Sequence, residues 1–64
     1  MTAELLNNLN AAAHAYWVLR DTRVTKWEGE FVTDMHKRWE RFGEKTFASE
    51  KQADIINKIA AKLA

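Results

Sequence analysis

Cysteine and proline are absent from this chain of 64 residues, and glycine occurs only at Gly29 and Gly43. Without cysteine there can be no disulfide and no thiolate metal site. Hairpin turns draw on glycine, Asn-Gly or proline, so a chain this poor in them is unsuited to an antiparallel sheet. No apolar run approaches the roughly 20 residues that span a bilayer. The opening Met1-Thr2-Ala3-Glu4 sets no basic region before an apolar stretch, so no signal peptide is expected. Ten Lys and Arg against nine Asp and Glu leave a formal charge of +1, too small for a strong whole-protein field toward nucleic acid or membrane. These absences point to the cytoplasm and to no membrane partner.

What is present favours helices. Charged residues of both signs make up 30% of the chain, which argues against disorder. The length suits one domain over residues 1–64. Thr2 is placed to cap a first helix, with Glu4 in the first turn where the helix dipole favours an anion. This helix is expected over 3–20, with Leu5, Leu9, Ala12, Ala13, Tyr16 and Leu19 at spacings of three and four on one stripe, widened by Leu6, Trp17 and Val18. Thr25-Lys26-Trp27-Glu28 matches a capping box and opens a second helix over 26–42. Its expected apolar stripe is Trp27, Phe31, Met35, Trp39 and Phe42, and Gly43 is suited to end it. Phe47, in the following loop, is expected against the core. Ser49-Glu50-Lys51-Gln52 is another capping box and opens a third helix over 50–63, with Gln52, Ile56, Ile59, Ala60 and Leu63 inward. The fold class expected is all-α, a compact three-helix bundle with neighbouring helices roughly antiparallel.

The residues that carry chemistry elsewhere have simpler roles here. His36 and Glu40 share a helix face, but a zinc site needs three or four ligands and His14 is the only other histidine. Glu28, Glu30 and Asp34 gather near the start of the second helix, with Lys37, Arg38 and Arg41 toward its end, an order that matches the helix dipole. Ser49 is accounted for by capping and has no Gly-x-Ser-x-Gly elbow around it. No Gly-rich phosphate loop occurs. The expectation is a protein that is not an enzyme and uses no cofactor or metal.

Two features point to binding. Lys37, Arg38, Arg41 and Lys45 form a basic cluster around Trp39, with phosphates as natural ligands and an aromatic for stacking on a base. Glu40 and Glu44 dilute it, so a solvated charged face competes with nucleic-acid binding. The first helix is the other feature. From Asn7 to Leu19 it holds no acid and no permanently charged base, and it is rich in alanine. Helix propensity accounts for the alanines but not for the missing charge of an ordinary outer face. Tyr16, Trp17, Ala11 and Ala12 are therefore the expected contacts with another protein, either a second copy in a homodimer or a different chain.

From Trp27 onward the residues Trp27-Glu28, Phe31, Met35, Arg38, Arg41 and Gly43, then Ser49-Glu50-Lys51-Gln52, Ile56 and Ile59, form a pattern. It resembles a helical segment of small bacteriophage-encoded proteins, in which a Trp-Glu-x-x-Phe helix precedes a Ser-x-Lys-Gln helix start. The resemblance covers a little over half of the chain, and the loop before Ser49 is longer here. It implies a phage or prophage origin and hence a bacterial cytoplasm. It implies an origin and not an activity, although small phage proteins of this kind often bind a host protein or serve phage DNA metabolism. The leading expectation for this chain is binding to a host or phage protein, with inhibition of a host process or defence as the outcome. Service to phage replication, recombination or transcription is the alternative.

Overall fold

Three side-chain caps start three helices. In the computed structural model, which describes residues 1–64, these are α1 (Ala3–Trp17), α2 (Lys26–Phe42) and α3 (Glu50–Leu63), with one 3-10 turn, Gly43–Lys45, directly after α2. Thr2 accepts a hydrogen bond from the Leu5 backbone N–H at 3.1 Å. Thr25 and Glu28 exchange the two bonds of a capping box, at 3.2 and 3.0 Å, and Ser49 and Gln52 do the same at 3.2 and 3.0 Å. Each bond satisfies a backbone donor that a helix start leaves free. Gly43 ends α2 with φ of 59°, a conformation available to glycine without a Cβ clash.

The path of the chain follows from two long-range bonds. The Met1 amino group donates to the Thr46 carbonyl at 3.1 Å, so the start of α1 lies at the α2–α3 connection. The Arg23 guanidinium donates to the Lys62 carbonyl at 2.9 Å, so the α1–α2 connection lies at the end of α3. The helices thus run up, down and up. α1 is the middle element: it packs on both α2 and α3, whose backbones hardly approach each other. The Lys62–Glu28 ion pair, 2.6 Å, links α3 to the first turn of α2.

Leu9, Ala12 and Ala15 of α1, Val24, Val32 and Met35 around α2, and Ile56 and Ile59 of α3 form the buried core. With so few side chains buried, the expected stability is about 3–5 kcal/mol. No helix is long and apolar enough to cross a membrane.

Four sequence expectations are corrected. The first helix stops at Trp17 rather than Arg20. The Leu19 N–H turns back to the His14 carbonyl, Arg20 takes φ of 53°, and the Asp21 N–H reaches the Ala15 carbonyl. The Asp21 carboxylate accepts from the Arg23 backbone N–H at 2.9 Å, a local turn that competes with helix. This turn lets Val24 enter the core and leaves Leu19 outside it. On α2 the buried arc is Gly29, Val32 and Met35, so Trp27 and Phe42 stand on its flank and are exposed rather than inward. Trp27 instead stacks on Phe31, with the planes 7° apart and centroids 5.7 Å apart. Phe47 is also outside, 78% exposed. Its segment is extended, so neighbouring side chains alternate: Thr46 is buried and its hydroxyl bonds the Arg38 carbonyl, Ala48 packs on the core, and Phe47 points away.

Candidate functional site

The middle position of α1 accounts for part of its missing charge. Two of its sides are covered by α2 and α3. Ala12, expected as a partner contact, is fully buried. It falls three residues after Leu9 on the same inward stripe, so a partner cannot reach it in this fold. Ala15 is buried too, and small side chains at both positions let the neighbouring helices come close. The Asn8 carboxamide donates to the Asn57 side-chain oxygen at 2.9 Å and ties α1 to α3.

The third side of α1 is open. Asn7, Asn10, Ala11 and His14 are exposed and lie three or four residues apart, so they form one outward strip. Trp17, Val18 and Leu19 continue it, at 52%, 64% and 62% exposure. The strip contains no acid, lysine or arginine between Asn7 and Leu19. Of the residues expected on an interface, Ala11 and Trp17 are on it.

Tyr16 and Trp17 are held in place by α2. Tyr16 is half-buried and lies on Gly29, where any Cβ would overlap its ring. Trp17 meets Tyr16 edge to face, with centroids 5.1 Å apart at 85°. The Trp17 indole N–H donates to the Thr33 hydroxyl at 2.7 Å, and that hydroxyl donates to the Gly29 carbonyl at 2.7 Å. The indole therefore has its polar edge satisfied and its orientation set while half of its surface faces water. Two shallow depressions share it as a wall. One, of about 250 Å³, is bounded by Glu30, Asp34 and Lys37; the other, of about 400 Å³, by Ala13, His36 and Glu40. A fixed aromatic beside shallow grooves with a charged edge has the anatomy of a protein-binding anchor.

The turn after α1 is stiffened by charge. Asp21 and Arg23 form a 2.7 Å ion pair. The Arg23 side chain and backbone N–H hold the Asp21 carboxyl below its ordinary value of 3.8, at about 2. Partial burial pushes the Glu28 carboxyl up, but Lys62 and the Thr25 N–H outweigh it, and the net shift is downward.

The basic residues of α2 are placed differently. Lys37, Arg38, Arg41 and Lys45 are all exposed. Arg38 pairs with Asp34 at 3.2 Å, and the His36 ring nitrogen lies 3.0 Å from Glu40. Arg41 sits over the exposed Phe42 ring, 5.4 Å from its centroid. The four basic side chains therefore share the face with acids, and one of them is already paired. Trp39 is partly buried and tilts against His36. No three His, Asp or Glu side chains converge as a metal site would need.

Comparison of the chain with known protein families, with curated proteins and with solved structures finds no match. The functional reading rests on the geometry and on the sequence. Sequence reasoning missed the exposure of Val18, Leu19, Trp27, Phe42 and Phe47. A signal existed for the first two: Asp21-Thr22-Arg23 can form a side-chain-closed turn, which ends a helix before Leu19 can reach the core.

Proposed function

We propose that this chain is a non-enzymatic interaction module that binds another protein through the outer strip of α1 and modulates that protein's activity, with inhibition as the expected direction. The observation that carries this reading is the uncharged strip from Asn7 to Leu19, which ends in three exposed apolar side chains. Isolated exposed apolar residues are ordinary on a protein surface, but a continuous uncharged face that ends in an oriented indole is not. The indole supplies apolar area with little orientational freedom left to lose on binding. Asn7, Asn10 and His14 supply donors and acceptors along the rest of the strip. The resemblance of the second half to phage-encoded segments makes a bacterial or phage protein the expected partner and the bacterial cytoplasm the expected setting. The test is binding to partners captured from bacterial lysate, repeated with Trp17→Ala and Leu19→Ser. Both substitutions are expected to weaken capture at least about tenfold if these side chains anchor the interface. Undiminished capture by both would contradict the reading.

A second reading is nucleic-acid binding through Lys37, Arg38, Arg41 and Lys45, favoured by the exposed Phe42 ring beneath Arg41. It predicts DNA or RNA affinity that falls steeply as salt rises, and that Arg38→Glu with Arg41→Glu abolishes. Asp34, Glu40 and Glu44 on the same stretch weaken the phosphate attraction, which places this reading second.

A further inference from the structure

The opposite end of the bundle carries its own knob and hole. Phe47 is the most exposed large apolar side chain of the molecule. It borders an open groove of about 600 Å³ without filling it. Met1, Leu5, Ala48 and Ala53 supply the groove's apolar walls, and Glu4 is its only charged side chain. Thr46 and Ala48 are anchored inward on either side of Phe47, whose ring lies at the groove's edge with most of its surface in water.

We infer that the groove receives Phe47 from a second copy of this chain, in a two-fold symmetric dimer where each copy fills the other. A closed two-fold contact requires one patch to carry both complementary parts side by side. Here the ring and the apolar-walled groove adjoin on a single surface. Charge fits the same occupant. Lys45, two residues before Phe47, is exposed. Insertion of the ring brings Lys45 toward the partner's Glu4, so the one charged side chain of the groove meets an opposite charge. The patch is small beside the roughly 1,200 Å² that a stable interface buries, so the dimer is weak, with Kd on the order of 10–100 µM. It lies at the end of the bundle away from Leu19 and leaves the outer strip of α1 free.

Sedimentation velocity of the 64-residue chain from about 5 µM to 1 mM tests this. The expected result is a monomer that becomes a dimer and nothing larger. Phe47→Ala is expected to stay monomeric throughout, with helicity and melting temperature unchanged at low concentration, because the ring contributes nothing to the core. Glu4→Lys and Lys45→Glu are each expected to weaken the dimer, and the two together to restore it. Trp17→Ala should dimerise like the unaltered chain, which separates this contact from partner binding by α1. A chain that stays monomeric to 1 mM, assembles beyond a dimer, or dimerises equally well with Phe47→Ala would overturn the inference, as would failure of the paired charge exchange to restore the dimer.

Discussion

The outer faces of α1 and α2 solve the same problem in different ways. Along α2, Glu30, Asp34, Lys37, Arg38, Glu40 and Arg41 meet water, and the Asp34–Arg38 and His36–Glu40 pairs join residues one turn apart. This is how a helix with a solvated side is usually built. Along α1 the corresponding positions are Asn7, Asn10, Ala11 and His14, without a single ion pair. Burial between α2 and α3 accounts for the inner sides of α1 but not for these four exposed positions, and both helices are capped by a threonine, so helix formation does not require the difference either. A face that lacks charge in a protein able to place charge elsewhere is suited to being covered.

Breaking the inside of α1 should have the largest effect. Leu9 and Asn10 are neighbours on the helix, one buried and one exposed. Leu9→Ala is expected to cost about 2–5 kcal/mol, comparable to the whole stability of so small a core, and to leave the chain largely unfolded. Asn10→Ala should change stability by no more than about 0.5 kcal/mol in the same urea titration followed by circular dichroism. Equal losses would remove the distinction between inner and outer sides.

The contact between the two helices comes next. Gly29→Ala gains up to about 1 kcal/mol in helix propensity, but its methyl group overlaps the Tyr16 ring. Overpacking of this kind costs about 1–3 kcal/mol, so a net loss is expected, along with a changed tryptophan fluorescence as Tyr16 and Trp17 shift. A more stable Gly29→Ala protein would show that Tyr16 does not occupy the missing side chain. On the charged side, Asp34→Asn should cost no more than about 0.5 kcal/mol, because exposed ion pairs contribute little.

The smallest effect concerns pH. Asp21 titrates near pH 2 in the folded chain rather than at its ordinary 3.8. A folded-state value below the unfolded one means that its pairing with Arg23 stabilises the fold above about pH 4, and that this contribution is lost as pH falls from there toward 2. Asp21→Asn should lower the melting temperature slightly above pH 4, leave it unchanged near pH 2, and so flatten the acid limb of the profile between them. An unaltered acid limb would show that the turn after α1 does not depend on this pair.

Helix starts were legible in the sequence because each cap is a local event: Thr2, Thr25 and Ser49 need only residues three positions away to accept their bonds. Ile56 and Ile59 were legible because α3 has a single inward stripe with polar neighbours. The stop at Trp17 was masked, since helix periodicity continues through Leu19 and hides the turn signal of Asp21, whose bond outweighs it. The buried arc of α2 was displaced by Gly29, a residue without a side chain to mark it as inward, whose burial depends on Tyr16 of another helix. At the candidate site, the absence of charge was visible in the sequence. So was the inward place of Ala12, which the stripe through Leu5 and Leu9 already marked, and its assignment to an interface conflicted with that stripe; Ala11, off the stripe, is the exposed one.

The most direct test of the docking face is site-specific photocrosslinking in bacterial lysate. A photoreactive side chain is placed at Ala11 on α1 in one version of the protein and in another at Arg38 on α2, which is exposed and borders neither groove beside Trp17. Adducts to one discrete protein from position 11 that disappear when Trp17→Ala is added, with none from position 38, are the predicted result. Adducts from position 38 alone, or none from position 11, would contradict a partner-binding role for the outer face of α1.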